Sequence, residues 1–165
     1  YAPHPQITKR DLRRIGPDVA GLLLQTATDA PTGRQRAVRA LALLPHYPSS
    51  ATLQTLSKVA RSTASPTRVR RVAISSLGSM ASARARVDLA LLLNDSDLYV
   101  REACAYALGK AYAKGSVGLL ERRLAVETEA TVQAAIRTSL SALREHANRE
   151  RKAANKQTRP GPGGR

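Results

Sequence analysis

Apolar and small residues fall at i, i+3, i+4, i+7 and i+8 in three stretches of this chain: Val69, Val72, Ala73, Ser76 and Leu77; Val100, Ala103, Cys104, Ala107 and Leu108; Val132, Ala135, Ile136, Ser139 and Leu140. That spacing draws one stripe along an α-helix. The stretches lie 31 and 32 positions apart, and Arg36 to Leu43 makes a weaker first copy about 34 positions before Arg70 to Leu77. A period of this size marks units that cannot bury their apolar faces alone and therefore stack on one another.

The same periodicity predicts helices in pairs. A first helix is expected from Thr8 to Ala27, broken at Gly16-Pro17, because the residue before proline is driven out of helical geometry. Its mate runs from Gly33 to Leu44 and stops at Pro45 and Pro48. Then come Ala51–Ser62 with Pro66–Met80, Ser82–Leu93 with Asp97–Ala113, and Val117–Glu127 with Glu129 to about Arg149. Ser65, Ser96 and Thr128 each stand four residues before the repeated valine, where a hydroxyl is expected to cap exposed helix N–H groups. From about Asn148 the apolar period is lost, and the end of the chain reads as a disordered or frayed helical basic tail. The expected organisation is an extended lead-in over 1–7, one helical domain over 8–147 and the basic tail over 148–165.

The run Asp95-Ser96-Asp97-Leu98-Tyr99-Val100-Arg101-Glu102-Ala103, continuing to Leu108-Gly109, resembles the HEAT-like repeat, also found in phycobilisome lyases. The resemblance covers about residues 30–143 and is strongest in the third repeat. It implies an all-α fold, an α-solenoid of about four antiparallel helix pairs, with the second helix of each pair lining the concave side. It also implies that the repeated arginine pairs with an aspartate of a neighbouring repeat, which would set Arg70 and Arg101 in a ladder with Asp95 or Asp97. Such folds host many functions, so the resemblance speaks to architecture more than activity.

Composition agrees with helix on helix. Hydrophobic residues make up 42% of the chain, yet only 3% are aromatic, with no Phe or Trp, so the core must be thin and built from Ala, Leu and Val. The longest apolar run, Leu89 to Leu93, is far short of the roughly 20 residues of a membrane span. Cys104 is the single cysteine, which excludes an intrachain disulfide and a cysteine-based metal cage; its place on the apolar stripe suits packing.

Charge changes the picture more. The net charge is +15, and it is unevenly spread: residues 1–80 hold 12 Lys/Arg against 3 Asp/Glu, residues 81–143 hold 8 against 7, and residues 144–165 hold 7 against 2. Arg34, Arg36 and Arg39 begin one second helix and Arg68, Arg70 and Arg71 begin the next, although the positive end of a helix dipole disfavours cations there. Residues 30–80 contain no Asp or Glu to neutralise them. An anion would answer both the cations and the free amides. Arg36, Arg39, Arg68, Arg70 and Arg71 are thus the candidate partner-binding strip, and Arg101, Asp95 and Asp97 the candidate structural ladder. Arg84, Arg86, Arg122 and Arg123 read as solvated outer faces.

Catalytic chemistry is not expected. His4, His46 and His146 are far apart and lack the His-Glu pairs by which HEAT-like di-iron enzymes hold metal. Tyr99, Tyr106 and Tyr112 share a helix without forming an obvious stacking platform, and no phosphate loop or nucleophile elbow is present. No cofactor is expected. The expectation is a non-enzymatic scaffold, monomeric on its own, that binds an acidic protein segment along the basic strip. Sequence-independent nucleic-acid binding is the alternative, and attachment of the tail to anionic lipid or cell-surface polymer a third. The Tyr1-Ala2-Pro3-His4-Pro5 start suggests an exported or periplasmic protein with its signal removed; a trimmed cytoplasmic chain would also account for it.

Overall fold

The computed structural model describes residues 18–28, 35–110 and 115–157. The lead-in, the Gly16-Pro17 break, His4, Arg34, Tyr112 and the last eight residues of the tail lie outside these. Among the described residues there are eight α-helices, one 3-10 turn and no strand. The helices are α1 (Val19–Ala27), α2 (Gln35–Leu43), α3 (Ser50–Arg61), α4 (Thr67–Met80), α5 (Ala83–Leu92), α6 (Leu98–Lys110), α7 (Ser116–Leu124) and α8 (Ala130–Gln157). The 3-10 turn Leu44–His46, with Pro45 inside it, ends α2 one residue earlier than the periodicity suggests.

These helices form four consecutive pairs, α1/α2 to α7/α8. The second helices α2, α4, α6 and α8 pack side by side in one layer, each against the next. In the other layer α1 meets α3 and α3 meets α5, more loosely. The stack is therefore a two-layer α-solenoid. Val69, Val100 and Val132 are each fully buried, so the three motif valines occupy matching places. A continuous core runs from Ala27 to Leu143, with Leu41, Leu56, Ile74, Leu89, Leu108, Leu120 and Ile136 fully enclosed. Each such side chain contributes about 1.5–3 kcal/mol by leaving water.

Glycine sets how closely the second helices approach. A Cβ on Gly78 would lie 2.8 Å from Ala107 Cβ, and one on Gly109 2.5 Å from Ser139 Cβ. Only a residue with no side chain fits between backbones at that separation. Gly78 and Gly109, which follow the motif leucines Leu77 and Leu108, are thus the contact points with the following repeat.

The helix starts differ from the expected hydroxyl caps. Helix α4 begins at Thr67 behind Pro66, which offers no capping oxygen, and Ser65 lies buried one residue further out. At α6 the carboxylate of Asp97 accepts the Tyr99 N–H at 2.9 Å, and Asp95 accepts the Asp97 N–H at 2.9 Å. Before α8 the Glu127 carboxylate accepts the N–H groups of Thr128 and Glu129, both at 3.1 Å. Carboxylates replace Ser96 and Thr128 because a charged acceptor at the positive helix end bonds more strongly than a hydroxyl.

At the other end, α8 continues helically to Gln157, past the point where its apolar stripe is lost. Residues 148–157 therefore take the helical one of the two forms expected for the tail, and from Ala147 to Asn155 every residue is exposed. Arg, Glu, Lys and Ala have the high intrinsic helix propensity to carry the extension.

Candidate functional site: the second-helix face

Two buried arginines join the repeats. Arg70 on α4 donates from Nε to the carbonyl of Ala60, near the end of α3, at 2.9 Å and from Nη1 to Oδ1 of Asp95, in the loop between α5 and α6, at 3.3 Å. Its Nη2 donates to Asp95 Oδ2. Only 5% of the Arg70 side chain is exposed, so it has no place in a surface strip. That corrects its assignment as a partner-binding residue: its guanidinium is consumed inside the fold. Burial alone would raise the Asp95 pKa, but the bonds from Arg70 and the Asp97 N–H outweigh it and hold the carboxyl below its usual range.

Arg101 repeats the arrangement one unit on, with a different acid. Its Nε and Nη2 donate to Glu127 Oε2 at 3.0 Å and Oε1 at 3.1 Å, and its Nη1 donates to the carbonyls of Asp95 and Ser96 at 2.8 and 3.0 Å. Arg123 adds two bonds to Glu127 Oε2, at 3.0 and 2.8 Å, and reaches Asn94 Oδ1 at 3.1 Å, so it is a structural residue rather than part of a solvated face. Burial pushes the Glu127 carboxyl up, yet the two arginines and the backbone amides bring it down to about 2. Among the described residues Asp97 makes no arginine rung; its Oδ2 accepts the Thr67 hydroxyl at 2.6 Å, another tie between second helices.

Glu127 was the residue missed from the ladder, and a signal for it exists: it lies 32 positions after Asp95, the repeat period itself. Counting the other way gives Ala64, 31 positions before Asp95, where no carboxylate stands. Neither Arg36 nor Arg39 is buried. Among the described residues the first two repeats are joined instead by the Ser76 hydroxyl, which donates to the Leu41 carbonyl at 2.9 Å.

The remaining members of the candidate strip lie on one surface. Arg36 and Arg39 are exposed on α2 and Arg68 on α4. Arg71, half exposed on α4, leans towards α6: its Nη2 is 3.8 Å from Glu102 Oε2, and its guanidinium carbon is 5.9 Å from the Tyr99 ring centre. Between α4 and α6 runs a groove of about 410 Å³, lined by Arg68, Arg71, Val72, Ser75, Ala103, Tyr106, Ala107 and Lys110. Tyr99 and Tyr106 are 54% and 47% exposed, so aromatic surface stands beside the cations. The sequence contained a signal for this: Tyr99 and Tyr106 stand 31 positions after Arg68 and Ser75, and inherit their outward direction.

Elsewhere the side chains offer less chemistry. Cys104 is fully buried, and burial pushes its thiol far up, so no thiolate is presented. No group of three metal-capable side chains comes together among the described residues, and no described helix is long and apolar enough to cross a membrane. No curated protein matches the chain. The family model for HEAT repeats matches residues 53–141, more than half of the 165 residues. Repeats of this kind generally mediate protein interactions. With helix pairs in two layers, motif valines in matching places and that match across the second to fourth pairs, the chain belongs to the HEAT repeat family.

Proposed function

We propose that the protein is a non-enzymatic interaction module whose second-helix face docks an acidic segment of another protein. The observation that carries this is the run of exposed cations on successive second helices, Arg36 and Arg39 on α2 and Arg68 and Arg71 on α4, where residues 30–80 hold no acidic side chain. The close glycine-mediated spacing of this layer supports its being the concave side, since a stack bends towards its more tightly spaced layer. A concave, like-charged surface concentrates potential and draws in an acidic chain, raising association rate and selectivity. Arg70 is excluded from this face by its burial; Lys110 on α6 extends it.

The test is binding of a fluorescein-labelled polyglutamate peptide, read by anisotropy, to the full chain and to the triple variant Arg36→Ala, Arg39→Ala, Arg68→Ala. The variant should keep its far-UV circular dichroism and lose at least tenfold in affinity. Unchanged affinity would leave the strip without a role. A second reading, phosphate contact with nucleic acid, takes support from the helical basic extension over 148–157. It requires a steep loss of duplex DNA binding as salt rises, through counterion release. Absence of a gel shift at low salt removes it.

A further inference from the structure

We propose that the groove between α4 and α6 seats an apolar side chain of the docked segment, so that the recognised sequence is a pair of carboxylates followed by an apolar anchor. This rests on the docking reading above and specifies its ligand. The face is not uniformly basic. The charged outward positions of α2 and α4 are all arginines, with Ser75 and Ser79 further along α4; on α6 the matching positions are Tyr99, Glu102, Tyr106 and Lys110; on α8 the corresponding Thr131, Ala134 and Thr138 are uncharged. Cationic surface therefore gives way to aromatic and small apolar surface one helix further along the stack.

The groove floor is apolar and shallow-chained: Ala107 is buried, and Val72 and Ala103 are half-buried against the core. Its rim carries Arg68 and Arg71 from the first turns of α4, and Tyr106 with Lys110 from the last turns of α6. Small floor residues leave a depression that a Leu-sized group can fill, and Tyr and Arg, which flank it, are side-chain types enriched among the residues that dominate binding energy when a ligand buries them. Glu102 sets a boundary. It sits 3.8 Å from Arg71, so a ligand carboxylate placed beyond α4 meets repulsion rather than a free cation. That same carboxylate disfavours any anion over α6, so a ligand that is uncharged there, as a peptide with an apolar anchor is and a phosphate backbone is not, fits this groove better.

Spacing follows from helix packing. Neighbouring helices lie about 8–10 Å apart, and an extended chain advances about 3.3 Å per residue. Carboxylates that meet α2 and α4 are then about three residues apart, with the anchor one or two residues beyond the second.

The experiment compares three labelled synthetic peptides on the full chain by fluorescence anisotropy: two glutamates three residues apart followed by leucine, the same peptide with serine for leucine, and polyglutamate. The leucine peptide should bind at least tenfold tighter than the serine peptide. Ser75→Trp, which fills the groove from an exposed position without changing charge, should remove that tenfold and leave the serine peptide unaffected. Tyr106→Ala serves as a second groove variant should Ser75→Trp lose its circular dichroism signal. Equal binding of leucine and serine peptides overturns the anchor while leaving acidic docking intact. No binding by any peptide at low salt overturns both. A labelled oligo-deoxythymidine that displaces the leucine peptide, and is itself blocked by Ser75→Trp, assigns the groove to nucleic acid and overturns the proposal.

Discussion

Glu127→Gln tests the joint between the third and fourth repeats. The Glu127 carboxylate has no exposed surface and accepts six bonds: on Oε1 from Arg101 Nη2 and the amides of Thr128 and Glu129, on Oε2 from Arg101 Nε and from Arg123 Nε and Nη2. A glutamine amide, however turned, points its NH2 at one of these two sets of donors and loses three acceptor contacts. It also leaves two guanidiniums without a counter-charge. The fall of the carboxyl from its ordinary 4.5 to about 2 corresponds to about 3 kcal/mol of stabilisation. That agrees with the roughly 3–5 kcal/mol lost when one partner of a buried pair is removed. Because the folded pKa is the lower one, this stability is fully present above about pH 4.5 and is lost as pH falls towards 2. Urea unfolding followed by circular dichroism should show the variant about 3 kcal/mol less stable near pH 7, with the gap narrowing near pH 3. A gap under about 1 kcal/mol, or one that does not change with pH, would refute the electrostatic account.

Gly109→Ala places a methyl 2.5 Å from Ser139 Cβ, so overpacking should outweigh the gain in helix propensity and cost about 1–2 kcal/mol in thermal unfolding. Ala81 closes α4 in the left-handed region at φ 48°, a conformation that favours glycine; Ala81→Gly should raise stability by about 0.5–1 kcal/mol in the same assay. Arg70→Ala leaves Asp95 uncompensated and should cost about 3 kcal/mol in urea, whereas exposed Arg68→Ala should change stability by less than about 0.5 kcal/mol. With no arginine–carboxylate rung between the first two repeats among the described residues, amides of α1 and α2 should exchange hydrogen faster than those of α6 and α8. Uniform protection across the four pairs would contradict that.

Helix pairing and stacking were legible in the chain because both depend on local, periodic information. The 3.6-residue stripe names the buried face of each helix, and repetition after 31 or 32 residues requires like units to cover one another's faces. Val69, Val100 and Val132 could be aligned for that reason. The roles of the arginines were not legible in the same way. Arg68, Arg70 and Arg71 lie within four consecutive positions, yet Arg70 is buried on Asp95, Arg71 leans on Tyr99 and Glu102, and Arg68 is exposed. Which of them is consumed inside the fold depends on the carboxylate that the next repeat delivers 25 or 26 residues later, as Asp95 meets Arg70 and Glu127 meets Arg101. The groove beside them was likewise settled only by packing. Tyr106 comes to line that groove, with Tyr99 beside Arg71, because α6 lies against α4 at glycine distance, and that proximity is a property of the stack rather than of either helix.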